Sequence, residues 1–245
     1  MRFKNYSERE LAKKIKMCER SSEAYIDVNK DCFIRLDGKR FSKFTKGFKT
    51  PFDDVLREVM KKTMLRVCNE VQGTVMGYTQ SDEITVYFKK MSDESEIMFS
   101  GRIQKIVSEM AATASVAFNE YLFEIGEKSD TPEFYRKKYF KAIFDCRVFN
   151  YDDDPMEVFI WRCLDCEKNA IQMVARSHFS HKELKNKKLI EMKQMLLDKG
   201  INIDDINPNY IYGVATVKEQ IVVNKGTDRE CNRNKFVFKN ALEVL

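Results

Sequence analysis

A chain of 245 residues with 43% hydrophobic content has the material for one large or two small domains with a real core, which excludes intrinsic disorder. Lys and Arg number 43 against 38 Asp and Glu, and the net charge of +5 permits a nucleic-acid partner without requiring one. No apolar stretch approaches the roughly 20 residues that cross a bilayer, and the charged opening Met1-Arg2-Phe3-Lys4-Asn5 has no apolar signal region behind it, so a soluble, unexported, cytoplasmic protein without a membrane partner is expected.

In chain order, Ser7 followed by Glu10 is a capping-box pattern and predicts a docking helix from Glu8 to about Arg20, with Leu11, Ile15 and Cys18 on one side. Cys32 to Leu36 reads as a short buried strand that stops at Asp37-Gly38. Apolar residues at helical spacing from Phe52 to about Glu70, with Pro51 near the first turn, predict a first core helix. The β-rich runs Thr74–Tyr78 and Ile84–Phe88 predict a hairpin with Thr79–Glu83 as its polar, acidic tip. Ile103 to Phe118 repeats the helical spacing and ends before the loop at Ser129-Asp130, and Ala142–Phe149 supplies a fourth strand. The order β-α-β-β-α-β predicts an α+β fold, a four-stranded antiparallel sheet with two helices on one face. Asp154-Pro155 starts a long helix from Met156 towards Ser180. A Lys-rich helix then stops at Gly200. Tyr210–Val217 and Gln220–Asn224 read as a second hairpin turning at Lys218-Glu219, and residues 225–245 carry no assignment. Residues 1–150 are expected as a catalytic core with its N-terminal helix, and 151–245 as a helical and hairpin extension packed on it in one compact body. Seven scattered cysteines, an odd number, read as reduced thiols.

Two acidic signals stand out. The first strand delivers Asp37 at its carboxyl end and the hairpin delivers Asp82 and Glu83 at its tip, so segments far apart in sequence can meet at one sheet edge. Magnesium takes one or two carboxylates together with water and nucleotide phosphates, and Asp37, Asp82 and the main-chain carbonyl of Gly38 suit it. Two such ions about 4 Å apart support in-line phosphoryl transfer. Taken singly, Asp-Gly and Ser-Asp-Glu are ordinary turn chemistry. Their joint placement on a β-α-β-β-α-β unit is where palm-type polymerases and nucleotidyl cyclases hold metal carboxylates. Cys163-x-x-Cys166 with His178-x-x-His181 mimics a zinc finger, but on one helix Cys166 and His178 would stand roughly 18 Å apart at 1.5 Å per residue, too far to share an ion.

The string Arg35-Leu36-Asp37-Gly38-Lys39-Arg40-Phe41-Ser42-Lys43-Phe44, with Gly77-Tyr78-Thr79-Gln80-Ser81-Asp82-Glu83, resembles the tRNA-histidine guanylyltransferase family. Phe144-Asp145-Cys146-Arg147-Val148 and Trp161-Arg162 with Asp165-Cys166 and Asn169 resemble two further family blocks, in order. The resemblance implies a palm that adds nucleotides to the 5′ end of a tRNA in the 3′-to-5′ direction at a two-Mg2+ centre. By motif position Asp37, Gly38 and Asp82 would be metal ligands, with Glu83 supporting them. Ser81 and Lys49 would touch triphosphate oxygens of ATP or GTP, with Lys46 as the alternative to Lys49. Arg35, Lys39, Arg40, Phe41 and Asn169 would complete the nucleotide site, and Arg162, Lys182 and Lys187 would contact RNA. Phe41, Phe44 and Phe48 also read as core, with one of the three exposed. Where the family has H-I-N-N-L-Y-N this chain has Glu167-Lys168-Asn169-Ala170-Ile171-Gln172-Met173, which resembles the guanylyltransferase-like branch that repairs 5′-truncated tRNAs by templated addition. The resemblance also implies a homo-oligomer, a tetramer. The rivals are guanosine addition to histidine tRNA, a nucleotidyl cyclase needing no RNA, and a non-catalytic RNA-binding module that kept the sheet.

Overall fold

The computed structural model describes residues 7–223 and 231–245. Its strands are β1 (Cys32–Gly38), β2 (Thr74–Gln80), β3 (Glu83–Phe88), β4 (Phe144–Asn150), β5 (Val214–Val223) and β6 (Cys231–Asn240). Its helices are α1 (Glu8–Arg20), α2 (Phe41–Phe44), α3 (Asp54–Glu70), α4 (Ile103–Glu127), α5 (Glu133–Arg136), α6 (Pro155–His178), α7 (His181–Leu184), α8 (Leu189–Leu197) and α9 (Pro208–Ile211). The strands form one antiparallel sheet in the order β4-β1-β3-β2-β5-β6.

Strand alternation decides which helices cover which face. From β1 and β3, Ile34, Leu36, Ile84, Val86 and Phe88 pack with Val59, Met60 and Met64 of α3 and with Met110, Ala114 and Phe118 of α4. The residues between them, Phe33 and Tyr87, join Met76 and Tyr78 of β2 on the opposite face and meet Phe159 and Cys163 of α6. Farther along α6, Ala170, Ile171 and Val174 carry α7, α8 and α9 through Leu184, Leu196 and Ile211.

The α+β palm topology agrees with the sequence pattern, and four differences have local causes. The sheet has six strands rather than four, because β5 pairs with β2 and brings β6 with it. Lys218-Glu219 is not a turn: β5 runs straight through it, with Lys218 opposite Phe236 and Glu219 opposite Lys235, and Glu219 pairs with Lys239. The expected second strand, Gln220–Asn224, is the rest of β5, its last residue lying outside the described ones. The Lys-rich helix divides into α7 and α8, because Ser180 with Glu183 and Lys188 with Glu191 each build a fresh N-terminal cap. Finally, α1 forms as expected from its Ser7 cap, but none of its residues is buried, so the docking contact is not made within the described chain.

Gly77 shows how tightly the sheet seats on α3. A Cβ there would lie 2.4 Å from the Cys68 sulfur and 3.0 Å from Thr216 Cγ2. Gly77→Ala is therefore expected to cost about 1–3 kcal/mol of stability by overpacking, read as a lowered denaturant midpoint with an unchanged slope.

Candidate active site

Asp37 sits last but one in β1, and the register fixes its company. Its partner across β3 is Glu83 and its partner across β4 is Asp145. The β2–β3 turn is shorter than the sequence suggested, because Gln80 and Glu83 already face each other in the ladder and only Ser81 and Asp82 lie between them. Ser81 takes a left-handed backbone, φ 47°, a conformation that costs a non-glycine residue about 1–2 kcal/mol. The main-chain N–H of Gly38 donates to the carbonyl of Asp82 at 3.1 Å, tying the turn to the end of β1. The Ser81 hydroxyl donates to the Asp82 carboxylate at 2.9 Å.

Crowded acids resist ionisation. Burial, and then the charge of Asp145, raise the Asp37 pKa against the pull of Arg147, Arg35 and Arg162. Burial pushes Asp82 up to about 6, opposed by the Ser81 hydroxyl and reinforced by Asp37. Glu83 is raised by burial, with Arg162 opposing. Arg162 corrects the sequence reading: it is 4% exposed, its guanidinium is bonded to Glu83 and, at 3.2 Å, to Asp165, and it is not available to an RNA backbone. Asp165 in turn accepts from the amide of Asn169 at 3.1 Å, so α6 carries a polar chain from Glu83 to Asn169.

Asn169 opens onto a cavity of about 350 Å³, within the range of small-molecule sites. Its wall includes Ser81, Asp82, Lys49, Phe41, Met173 and Tyr210. Of the two lysines left open by the sequence, Lys49 lines this cavity and Lys46 does not. Lys49 is fixed by its main-chain N–H, which donates to the buried Asp53 carboxylate at 2.9 Å, and Tyr135 donates to the same oxygen at 3.0 Å. Phe41 is buried among Phe44, Phe118 and Phe144 while lining the cavity; Phe48 is buried too and Phe44 half-buried, which leaves none of the three exposed. Lys39 and Arg40 are exposed just past Gly38, outside the cavity lining, and Arg35 lies two residues before Asp37 with its guanidinium 5.7 Å from the Trp161 ring. Lys182 and Lys187 are exposed on and just after α7, with Lys187 paired to Glu191.

Four participants went unassigned by sequence. Asp145 lies in a family-like block, but only the β1–β4 register puts it beside Asp37. Asp165 needed the folded position of Arg162. The stacked rings of Phe52 and Tyr210, 4.4 Å apart, come from segments with no pairing signal.

Whether this edge could hold magnesium is a question of donor chemistry. The oxygens of Asp37 and Asp82 are hard donors: the Asp37 charge adds to the rise at Asp82, and the arginines facing Asp37 only partly oppose its own rise, the condition a divalent cation relieves. Among the described residues no group of three or more His, Cys, Asp or Glu side chains forms a cage, so an ion here would fill its shell from main-chain, water or substrate oxygens. The residues fit that group. In metal-free protein the raised Asp82 pKa has a stability consequence with a definite sign. Between about pH 4 and 6 the folded state holds a proton that the unfolded chain has lost, so stability falls as pH rises through that window. Asp82→Asn should therefore be more stable than the wild type by about 1–2 kcal/mol at pH 7.5, discounting for partial exposure, and equal to it at pH 4 in denaturant melts; equal stabilities at both pH values would show that the charge carries no penalty.

Comparison with known proteins bears on the family and the fold. A family model described as tRNAHis guanylyltransferase (Thg1) matches residues 12–152. An uncharacterized protein of Acanthamoeba polyphaga mimivirus is 31% identical over 209 residues, covering 77% of this chain and 70% of that protein. A solved bacterial tRNA(His) guanylyltransferase (Thg1)-like protein in complex with ATP superposes with a TM-score of 0.78 at 28% identity, covering 92% of this chain and 91% of the other. The corresponding structure with GTP gives a TM-score of 0.73 at 25% identity, covering 94% and 91%. With the family model spanning more than half its length, the chain belongs to the tRNAHis guanylyltransferase family of nucleotidyltransferases.

Proposed function

We propose that this protein adds nucleotides to a tRNA with an incomplete 5′ end, one at a time in the 3′-to-5′ direction, choosing each by pairing with the opposite strand. The observation that carries the reading is the meeting of Asp37 and Asp82 at one sheet end, with Asp82 and Ser81 also forming the wall of a cavity that holds Lys49 and Asn169. Solved relatives of similar fold are described in complex with ATP and with GTP, which supports a nucleoside triphosphate as the occupant of that cavity.

The chemistry divides into two displacements. An oxygen of the RNA 5′-monophosphate attacks the α-phosphorus of a nucleoside triphosphate and expels pyrophosphate. The 3′-hydroxyl of the incoming nucleotide then attacks the activated 5′-phosphorus and expels the nucleoside monophosphate, which leaves a new phosphodiester and a 5′-triphosphate. Asp37, Asp82 and the Gly38 carbonyl would hold two Mg2+ ions, which when bound neutralise phosphate charge and ease loss of the hydroxyl proton. Glu83 acts from behind them, held by Arg162. Lys49 and Ser81, which line the cavity, would touch triphosphate oxygens, and Asn169, which lines it too, would meet a polar group of the nucleotide. Lys39 and Arg40 extend positive charge from the end of β1, and Lys182 and Lys187 offer it on and beside α7 for the RNA backbone, a contact that weakens with salt.

Glu167 and Lys168 in place of the histidine and isoleucine of the H-I-N-N-L-Y-N segment favour repair over recognition of a histidine tRNA. Given a 5′-monophosphorylated tRNA lacking its first nucleotide and all four triphosphates, the wild type should add the base complementary to the one opposite the gap. Asp37→Ala and Asp82→Ala should reduce addition to background while retaining tRNA affinity within a few-fold. Guanosine addition regardless of the opposing base would favour the histidine-tRNA activity, and full activity in either variant would remove the carboxylates from the chemistry.

A further inference from the structure

We propose that Trp161 is a stacking platform for an unpaired nucleobase at the acceptor end of the RNA, an inference that rests on the RNA-directed reading above. Trp161 is the only tryptophan in the chain and is 53% exposed in the second turn of α6. The inward residues of the same helix segment, Phe159, Arg162, Cys163 and Cys166, are buried. An indole left this open on a helix that has a core to pack into is an informative exposure, because aromatic surface of this size otherwise contributes to packing.

The ring is braced. The guanidinium of Arg162 lies 4.6 Å from its centroid and that of Arg35 lies 5.7 Å away. Arg162 is itself immobilised by Glu83 and Asp165, so the indole rests on a fixed charge. Those contacts also locate it. Arg35 precedes Asp37 by two residues on the same strand face, and Arg162 touches the carboxylate next to Asp82, so the indole stands beside the acidic edge rather than within the cavity lining. On the far side of β1, Arg147 faces Arg35 and is exposed, which places a second cation within reach of a phosphate.

A flat π surface flanked by guanidinium groups suits a base with its phosphate. The neighbouring exposed apolar side chains on α6, Ile160 and Leu164, make only a narrow strip with Trp161, less than a protein partner would need. A base donated by an RNA end held at Asp37 and Asp82 could reach this ring while its phosphate lies towards Arg35 and Arg147.

Because the chain has one tryptophan, its emission reports this residue alone. The full chain is titrated with a tRNA transcript lacking its first nucleotide, with binding followed by anisotropy of a label on the anticodon arm and, in parallel, by tryptophan fluorescence. Saturating RNA should quench the emission. Trp161→Ala should weaken RNA binding about 5- to 150-fold, the range of a lost base–aromatic stack, while Trp161→Phe stays within about threefold of the wild type and ATP affinity is unchanged in both. RNA whose unpaired 3′-strand nucleotides are abasic should bind the wild type as weakly as intact RNA binds Trp161→Ala, and should bind that variant no more weakly. Tight RNA binding without quenching, or wild-type affinity in Trp161→Ala, would overturn the stack and leave the RNA reading standing. An equal loss of ATP binding would overturn it too, making the indole a brace for Arg162. No RNA binding by the wild type would remove both.

Discussion

The arrangement depends on one register. Because Asp37 of β1 lies opposite Glu83 of β3 and Asp145 of β4, and because the two-residue turn after β2 places Asp82 against Gly38, four carboxylates collect at one end of the sheet. A slip of one residue in β1 would turn Asp37 towards the α3–α4 core and expose Leu36 in its place. The apolar alternation Ile34, Leu36 against Phe33 therefore fixes the fold and the site together: the core defends the register, and the register assembles the acids.

Such a cluster opposes folding, and the rest of the structure shows where that opposition is absorbed. Arg162 supplies a buried cation from α6, a helix held to the sheet by Phe159 against Phe33. Arg35 and Arg147 supply two more from the strands themselves. These charges do not cancel the cluster, since Asp37, Asp82 and Glu83 all remain raised. A protein whose only interest was stability would replace one of these acids. Their persistence at an edge that shares Asp82 with the wall holding Lys49 and Asn169 is what an oxygen-rich, phosphate-bearing ligand with divalent cations would reward.

Local pattern carried the palm well, because its elements announce themselves within a few residues: the helical spacing of α3, the polar run between β2 and β3 and the Asp154-Pro155 start of α6 are all local signals. What the sequence left obscure depended on distant partners. Lys218-Glu219 looks like a turn until β6 lies alongside and gives Glu219 a lysine and Lys218 the ring of Phe236. Arg162 looks like a surface cation until α6 is laid on the sheet and buries it against Glu83. The motif residues Asp37, Ser81, Asp82 and Asn169 could be named from their blocks, yet their division between an acidic edge and an adjoining cavity, with Asp82 and Ser81 common to both, is a property of the turn and the register.

The most direct measurement is divalent-ion binding itself, with Mn2+ as the paramagnetic probe and its free concentration read by electron paramagnetic resonance in the presence of a non-hydrolysable ATP analogue. The geometry predicts that the wild type withdraws Mn2+ from solution and that Asp37→Asn, which keeps shape and removes one charge, weakens this withdrawal by at least about tenfold, a loss of about 1.4 kcal/mol. Equal withdrawal by the two proteins would contradict a shared cation site between β1 and the β2–β3 turn.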